Sequence, residues 1–393
     1  MRRAEARMTT RTRRIGAAAC IAAIAAAGCG GDSVVPGNDA SATTDVGVSD
    51  LGADRPTVTD VPVTGDVPAT TDVADAGAAM DVAADVPGDL PASTIPTAAT
   101  LFTRNDSFST PLTVALTSSG ATAYFTARTP GGVATLFRST GGTSAPTVVP
   151  VTGVPLVFPT GLAIGADDAH LYIADQAASR GGAVFGTEEG ALLSIATEGG
   201  AATAINIGML RRPRAVAVHG SPEQLTFIAF QDDGTPVVAR TAASGGGTAT
   251  VIASGAGDSP LRDPSALAVA ADGTVYLTDA RADGGLGAVF RIAPAGTPVR
   301  ILRHLRMGLP AGIALSADER HVLVAGWDVE TGPGRLTWAA TDGTGAMSPA
   351  AFGTPITSPA GVARAHGSDT YGIADDTATD TAATSWGGVF SVR

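Results

Sequence analysis

The sequence predicts an all-β chain, a six-bladed β-propeller with four antiparallel strands per blade. Three observations carry this. A strand-turn-strand unit, seen as PSALAVAADGTVYLTDA at 264–280, recurs six times. Its copies begin at Pro111, Pro159, Pro213, Pro264, Pro310 and Pro359, spaced 48, 54, 51, 46 and 49 residues apart. That period suits a propeller blade better than a helical repeat. Finally, the chain stops at Arg393 straight after the third strand of its last unit, while TIPTAATLF at 94–102 stands upstream as a spare fourth strand.

Each element has its own signal. The first strand carries small residues, as in ALAVA and GLAIG, because innermost strands converge on a central channel where bulk would clash. A tight polar turn follows: SSGA, ADDA, AADG or SADE. The second and third strands hold aromatics, among them Tyr172, Tyr276, Phe137 and Phe290. These fill the wedge between neighbouring blades, where burial yields most. Third strands read GGVATLFRST, GALLSIAT, PVVARTA, GAVFRIAP, GRLTWAA and GGVFSVR, and fourth strands APTVVPV, AATAINI, TATVIAS and TPVRILR. Joining the spare N-terminal strand to the last blade closes the ring and hides the edges that a linear array would expose. A β-sandwich also uses short strands, but it does not explain the period.

Upstream of the ring the character changes. Residues 1–28 read as an export signal: arginines at Arg2, Arg3, Arg11, Arg13 and Arg14 precede the short apolar run IGAAACIAAIAAAG. The run ends in AAGC, which resembles a bacterial lipobox with Cys29 as the lipidated residue, although Ala26 stands where such boxes carry Leu. Gly30 rather than Asp follows the cysteine, which points to the outer membrane of a Gram-negative cell. Residues 29–92 then form a tether. From residue 30 onward it holds twelve aspartates against the single Arg55 in a Val-, Pro-, Thr- and Ala-rich setting without aromatics. Such a stretch cannot bury enough apolar surface to order itself. It reads as a spacer, with a calcium-binding tract as the sharper alternative. The propeller occupies 93–393.

Composition narrows the function. The net charge is −12 and the chain contains no lysine, so a general grip on nucleic acid is not expected. Cys20 and Cys29 are the only cysteines. A mature propeller therefore has no disulfide, thiol nucleophile or cysteine metal site. No HExxH, GxSxG or phosphate-cradling loop occurs.

The working face is expected on the side of the second-to-third loops, which are long in DQAASRGGAVFGTEEG, WDVETGPG and DDTATDTAATSWGG. Asp175, Asp279 and Asp375 end the second strands of units two, four and six, where the odd units have Ala127, Phe230 and Gly326. Three carboxylates around a channel suit calcium or another hard cation, so these are metal candidates. As short polar side chains they equally suit capping of the turn that follows. Asp376, Asp328, Arg128 and Arg180 join them on this face. Trp327 and Trp386 stand in long loops, placed either to stack on a sugar and anchor a partner or simply to pack the loop. Four histidines, His170, His219, His321 and His366, sit near the opposite turns and read as surface groups.

The units resemble those of six-bladed NHL-type propellers and the SMP-30/gluconolactonase-like superfamily. The shared features are Pro-x-x-(Leu/Val/Ile)-Ala at the first strand, Asp-Gly at the turn and Tyr-x-(Ala/Thr)-Asp at the second strand, over 93–393. The resemblance implies the architecture and says little of function. Gluconolactonase-like enzymes hold a divalent metal through Glu, Asn and Asp. Here no Glu opens a first strand, and Asn206 is the one asparagine after Asn105, so no catalytic residue is carried over. The expected function is a monomeric, membrane-anchored binding or scaffold module for a protein or glycan ligand, without a cofactor. The alternative is a metal-dependent lactonase- or esterase-like hydrolase, with calcium or another divalent cation in the channel.

Overall fold

The computed structural model describes residues 92–393 apart from 143, 181–188, 309–310, 328–333, 346, 351–355 and 378–386. The expected signal, the lipidated Cys29 and the tether up to residue 91 lie outside these residues.

Six four-stranded antiparallel sheets form the ring. Blade 1 is Ser109–Leu116, Ala123–Arg128, Ala134–Ser139 and Thr147–Val148; blade 2 is Pro159–Ile164, His170–Asp175, Ala191–Ala196 and Thr203–Ile205. Blade 3 is Arg211–His219, Gln224–Phe230, Pro236–Ala242 and Thr250–Ser254. Blade 4 is Pro264–Val269, Val275–Asp283, Leu286–Ile292 and Val299–Leu305; blade 5 is Gly312–Leu315, His321–Trp327, Gly334–Ala340 and Ser348–Pro349. Blade 6 takes Pro359–Arg364, Tyr371–Asp375 and Gly388–Val392 from the C-terminus and Ala99–Thr103 from upstream of blade 1.

The closure is held by register. Ala99 faces Val392 and Leu101 faces Phe390, and the Arg393 amide donates to the Ala98 carbonyl at 2.9 Å. The chain upstream of that strand is clamped too. The Ser93 amide donates to Asp318 Oδ2 at 3.0 Å in the tight turn of blade 5, and the Asp318 amide returns to Ser93 Oγ at 3.3 Å. Burial alone would raise the Asp318 carboxyl. Hydrogen bonds from Ser316, Ser93 and the Arg320 amide outweigh it and bring the group down to about 2.

The core is divided rather than central. Six apolar clusters fill the six junctions between neighbouring blades. At the blade 1–2 junction Tyr124 and Leu136 meet Leu171, Ile173 and Leu193; at the closing junction Phe102 and Val389 of blade 6 meet Phe125 and Phe137 of blade 1. Phe125 and Phe137 stack with centroids 5.4 Å apart. The expected aromatics sit in these wedges: Tyr172, Tyr276, Phe137 and Phe290 are all buried. Two boundaries differ from the sequence reading. The N-terminal strand begins at Ala99, because residues 93–98 are used to reach the blade 5 turn. His304, which the sequence places in the connection from the fourth strand of blade 4 to the first of blade 5, lies within the outer strand of blade 4.

Neighbouring blades are also tied across the tight turns, a feature that the sequence reading missed. Asp168 of blade 2 accepts the Ser118 amide of blade 1 at 2.9 Å. Glu223 of blade 3 accepts Ala166 at 2.7 Å, Glu319 of blade 5 accepts Ala271 at 2.8 Å, and Asp369 of blade 6 accepts Ala317 at 2.7 Å. Each is a carboxylate on one turn bonded to a backbone amide on the preceding blade's turn. The signal was present as a carboxylate in these turns, but without the ring nothing said that its partner lay 48 to 57 residues away.

Candidate functional site

Asp175, Asp279 and Asp375 occupy equivalent positions and all accept backbone amides. All three are fully buried. Asp175 Oδ2 accepts the Val157 amide at 2.8 Å, and Oδ1 accepts Phe158, Ala177 and Ala178 at 2.9, 3.0 and 2.9 Å. Asp279 accepts Arg262, Asp263 and Arg281 at 2.7, 3.0 and 3.0 Å. Asp375 accepts Thr357, Ser358 and Thr377 at 2.5, 3.1 and 3.0 Å. Each carboxylate therefore grips the connection entering its own blade; Asp175 and Asp375 also hold the first residues of the second-to-third loop, whereas Asp279 does not end its strand as expected, because that strand runs on to Asp283 and the Arg281 amide it holds lies within it. Burial pushes all three carboxyls up from their ordinary value, and the amides pull them back.

Blades 1 and 3 solve the same junction differently. Before the lead proline, Thr110 and Arg212 both take a left-handed backbone with φ of 47°. Four residues of the first strand then face two of the second, Ser109 to Thr113 against Arg128 to Thr126 and Arg211 to Ala215 against Phe230 to Ile228. In the even blades two face one, as in Pro159 to Gly161 against Asp175 to Ala174. Where blade 3 lacks the carboxylate, Phe230 is covered by the guanidinium groups of Arg212 and Arg214 at 5.0 and 4.8 Å. At Gly326 of blade 5 a Cβ would fall 2.8 Å from the Cβ of the buried Met307. Blades 1 and 3 thus share one construction and the three even blades another.

Loop length follows this division only in part: blade 4 joins its second and third strands through residues 284 and 285 alone. In blades 1 and 3 the second-to-third turns are tight, closed by Thr129 to Val133 and Gln231 to Thr235 at 2.9 Å each. In blade 2 the corresponding connection runs from 176 to 190, and in blade 6 from 376 to 387. So the expected long-loop face is long only in part, and the carboxylate-gripped blades carry these two longest connections.

The remaining candidates fall as follows. Arg180 is half-buried and cross-links its loop to the connection between blades 2 and 3, donating to the Gly190, Gly208 and Leu210 carbonyls, the first two at 3.1 and 2.7 Å. Arg128 closes its own turn by donating to the Gly132 carbonyl at 2.7 Å. The Trp327 backbone pairs with Gly334 at the end of a strand; Asp328 and Trp386 lie outside the described residues. Arg214 pairs with Asp263 of blade 4 at 2.5 Å, which Arg281 also approaches at 3.5 Å.

Asp376 is the exception among the carboxylates. It is 8% exposed, and its Oδ1 has no hydrogen-bond partner. Burial, reinforced by the neighbouring Asp375 charge and opposed by a bond from Ser358, lifts it to about 6. Gln176 holds the matching place in blade 2 and donates to Thr160 Oγ1 at 2.9 Å; Ala280 holds it in blade 4. Among the described residues no three His, Cys, Asp or Glu side chains are grouped to hold a metal ion, so the structure does not bring the three strand-end aspartates to one point. Nor is any described helix long and apolar enough to cross a membrane.

No family model matches the chain, and no curated protein matches it. Similar folds occur among solved structures. TolB from Acinetobacter baumannii is 14% identical with a TM-score of 0.46, over 62% of this chain and 55% of that one. A Trypanosoma rangeli sialidase is 13% identical with a TM-score of 0.49, over 76% and 58%. A structural-genomics protein assigned to the gluconolactonases is 13% identical with a TM-score of 0.44, over 75% and 91%. At such identity these are likenesses of fold only.

Proposed function

We propose that the chain is an exported binding or scaffold propeller, lipidated at Cys29, tethered at the outer membrane and taking a protein or glycan ligand on its long-loop face. The observation that supports this best is the use of the even-blade aspartates. All three accept backbone amides, and Asp175 and Asp375 root the two longest loops in a rigid ring, which is what a recognition surface needs. Arg180 reinforces the root of the blade 2 loop from within. A metal-dependent lactonase- or esterase-like hydrolase is the second reading. Its support is Asp376, a buried carboxyl near 6 with an unused oxygen, the kind of group that serves as a general acid or base.

The full chain, purified without chelator, separates the two. The binding reading expects no stoichiometric metal by elemental mass spectrometry, no turnover of a lactone and ester panel, and a glycan or envelope-protein partner lost when residues 177–188 are replaced by Gly-Gly. One calcium, zinc or manganese per chain together with lactone or ester turnover overturns it. Intact mass of the membrane-extracted protein reads the lipid on Cys29.

A further inference from the structure

The axial channel contains a cavity of about 140 Å³ that the long-loop reading does not use. Its wall comes from the residues three to five places after each lead proline, so it lies at the tight-turn end of the ring, opposite the long loops. The fourth place is alanine in every blade: Ala115, Ala163, Ala217, Ala268, Ala314 and Ala363, and all six line the cavity. The fifth place is Leu116, Ile164, Val218, Val269 and Leu315 in five blades, and Arg364 in the sixth. At the fifth place one guanidinium thus interrupts an otherwise aliphatic ring, and His366 of the same blade also lines the cavity.

That guanidinium is positioned and partly unused. Arg364 Nη1 donates to the Ala365 and Ser368 carbonyls, both at 3.1 Å, while its Nε and Nη2 make no hydrogen bond among the described residues. Around the same mouth stand Asp168, Glu223, Glu319 and Asp369. Their acceptors are occupied by turn amides, and their negative charges remain. A space of roughly 150 Å³ is large enough for a benzene-sized guest. The alanine and aliphatic side chains therefore offer contact to an apolar body, the free donors of Arg364 select an oxygen acceptor, and the acidic rim disfavours an anion.

We propose that this cavity binds a small neutral molecule with an apolar ring and one carbonyl oxygen, the ring seated among the six alanines and the oxygen on Arg364. The site is independent of any ligand on the long-loop face.

Calorimetry and saturation-transfer NMR on the full chain with toluene, acetophenone and benzoate test it. Acetophenone should bind one per chain, toluene several-fold more weakly, and benzoate at least tenfold more weakly than acetophenone. Arg364→Met, which restores the aliphatic character of the other five blades, should bring acetophenone down to the toluene level and leave toluene unchanged. Ala217→Leu, filling the cavity from a half-exposed wall position, should weaken both. Absence of toluene and acetophenone binding to the unaltered chain overturns the site. Benzoate binding tightest, or acetophenone binding indifferent to Arg364→Met, overturns the ligand class.

Discussion

Asp175 and Val157, eighteen residues apart, are joined by a 2.8 Å hydrogen bond from a backbone amide to a fully buried carboxylate. Three further amides converge on the same side chain. Asp175→Ala leaves these donors buried without an acceptor, and we expect a loss of about 3 kcal/mol in urea unfolding. Asp175→Asn keeps one carbonyl oxygen but sets an NH₂ against an amide, and should fall between the two. A loss under about 0.5 kcal/mol for the alanine variant would show that the carboxylate is not a structural grip.

Asp376 predicts a pH dependence of opposite sense to an ordinary surface carboxylate. Its folded value, about 6, lies above the ordinary 3.8. The folded state therefore binds its proton more tightly, and that stability is complete below about pH 4 and lost as pH rises through about 6. At 1.36 kcal/mol per decade the loss approaches about 3 kcal/mol. Asp376→Asn should raise stability at pH 8 and flatten the profile between pH 4 and 7. An unchanged slope in the asparagine variant would assign the dependence elsewhere.

Asp318 titrates in the other direction. Held down to about 2, it contributes stability above its ordinary value that is lost as pH falls through about 2. Acid should therefore release residues 93–98 from the blade 5 turn before the ring opens. Hydrogen exchange at the Ser93 amide, followed from about pH 5 to about pH 1.5, checks this; protection that persists below about pH 2 contradicts it.

Gly361 tests the closing seam. A Cβ there would lie 2.6 Å from the Leu112 carbonyl oxygen and 2.9 Å from Thr113 Cα, both backbone atoms of blade 1. Gly361→Val must push blades 6 and 1 apart, at a cost of about 3 kcal/mol. The same substitution at Gly132, with nothing within 4 Å but φ of +83°, costs only its local backbone strain. Equal losses at the two sites by thermal unfolding would remove the packing argument.

Removing residues 1–103 takes the outer strand from blade 6 and bares the edge of Gly388–Val392. We expect loss of the cooperative transition and concentration-dependent aggregation, with recovery when a peptide covering 92–104 is supplied. A monomeric truncated chain that unfolds cooperatively would show that closure is dispensable.

The repeat was fully legible because propeller blades are local. The tight turns and small first strands of each unit are written within one repeat, and short-range turn chemistry and period-two burial enforce them; the spare N-terminal strand was legible as the piece missing from the last unit. Even the lone Arg364 among five aliphatic residues can be read by laying the six units side by side. What Asp175, Asp279 and Asp375 do was legible only as two alternatives, since a carboxylate at a strand end suits a cation as well as an amide. Tertiary structure supplied the amides: the connection entering each even blade comes within hydrogen-bond reach and brings two backbone N–H groups to the carboxylate. The same holds for Glu223 and Asp369, whose partners are on other blades, and for the alanine ring, which becomes a cavity only when six first strands meet around one axis. Sequence specifies the blade through contacts within it. The junctions, the channel and the charge around its mouth exist only once the ring has closed.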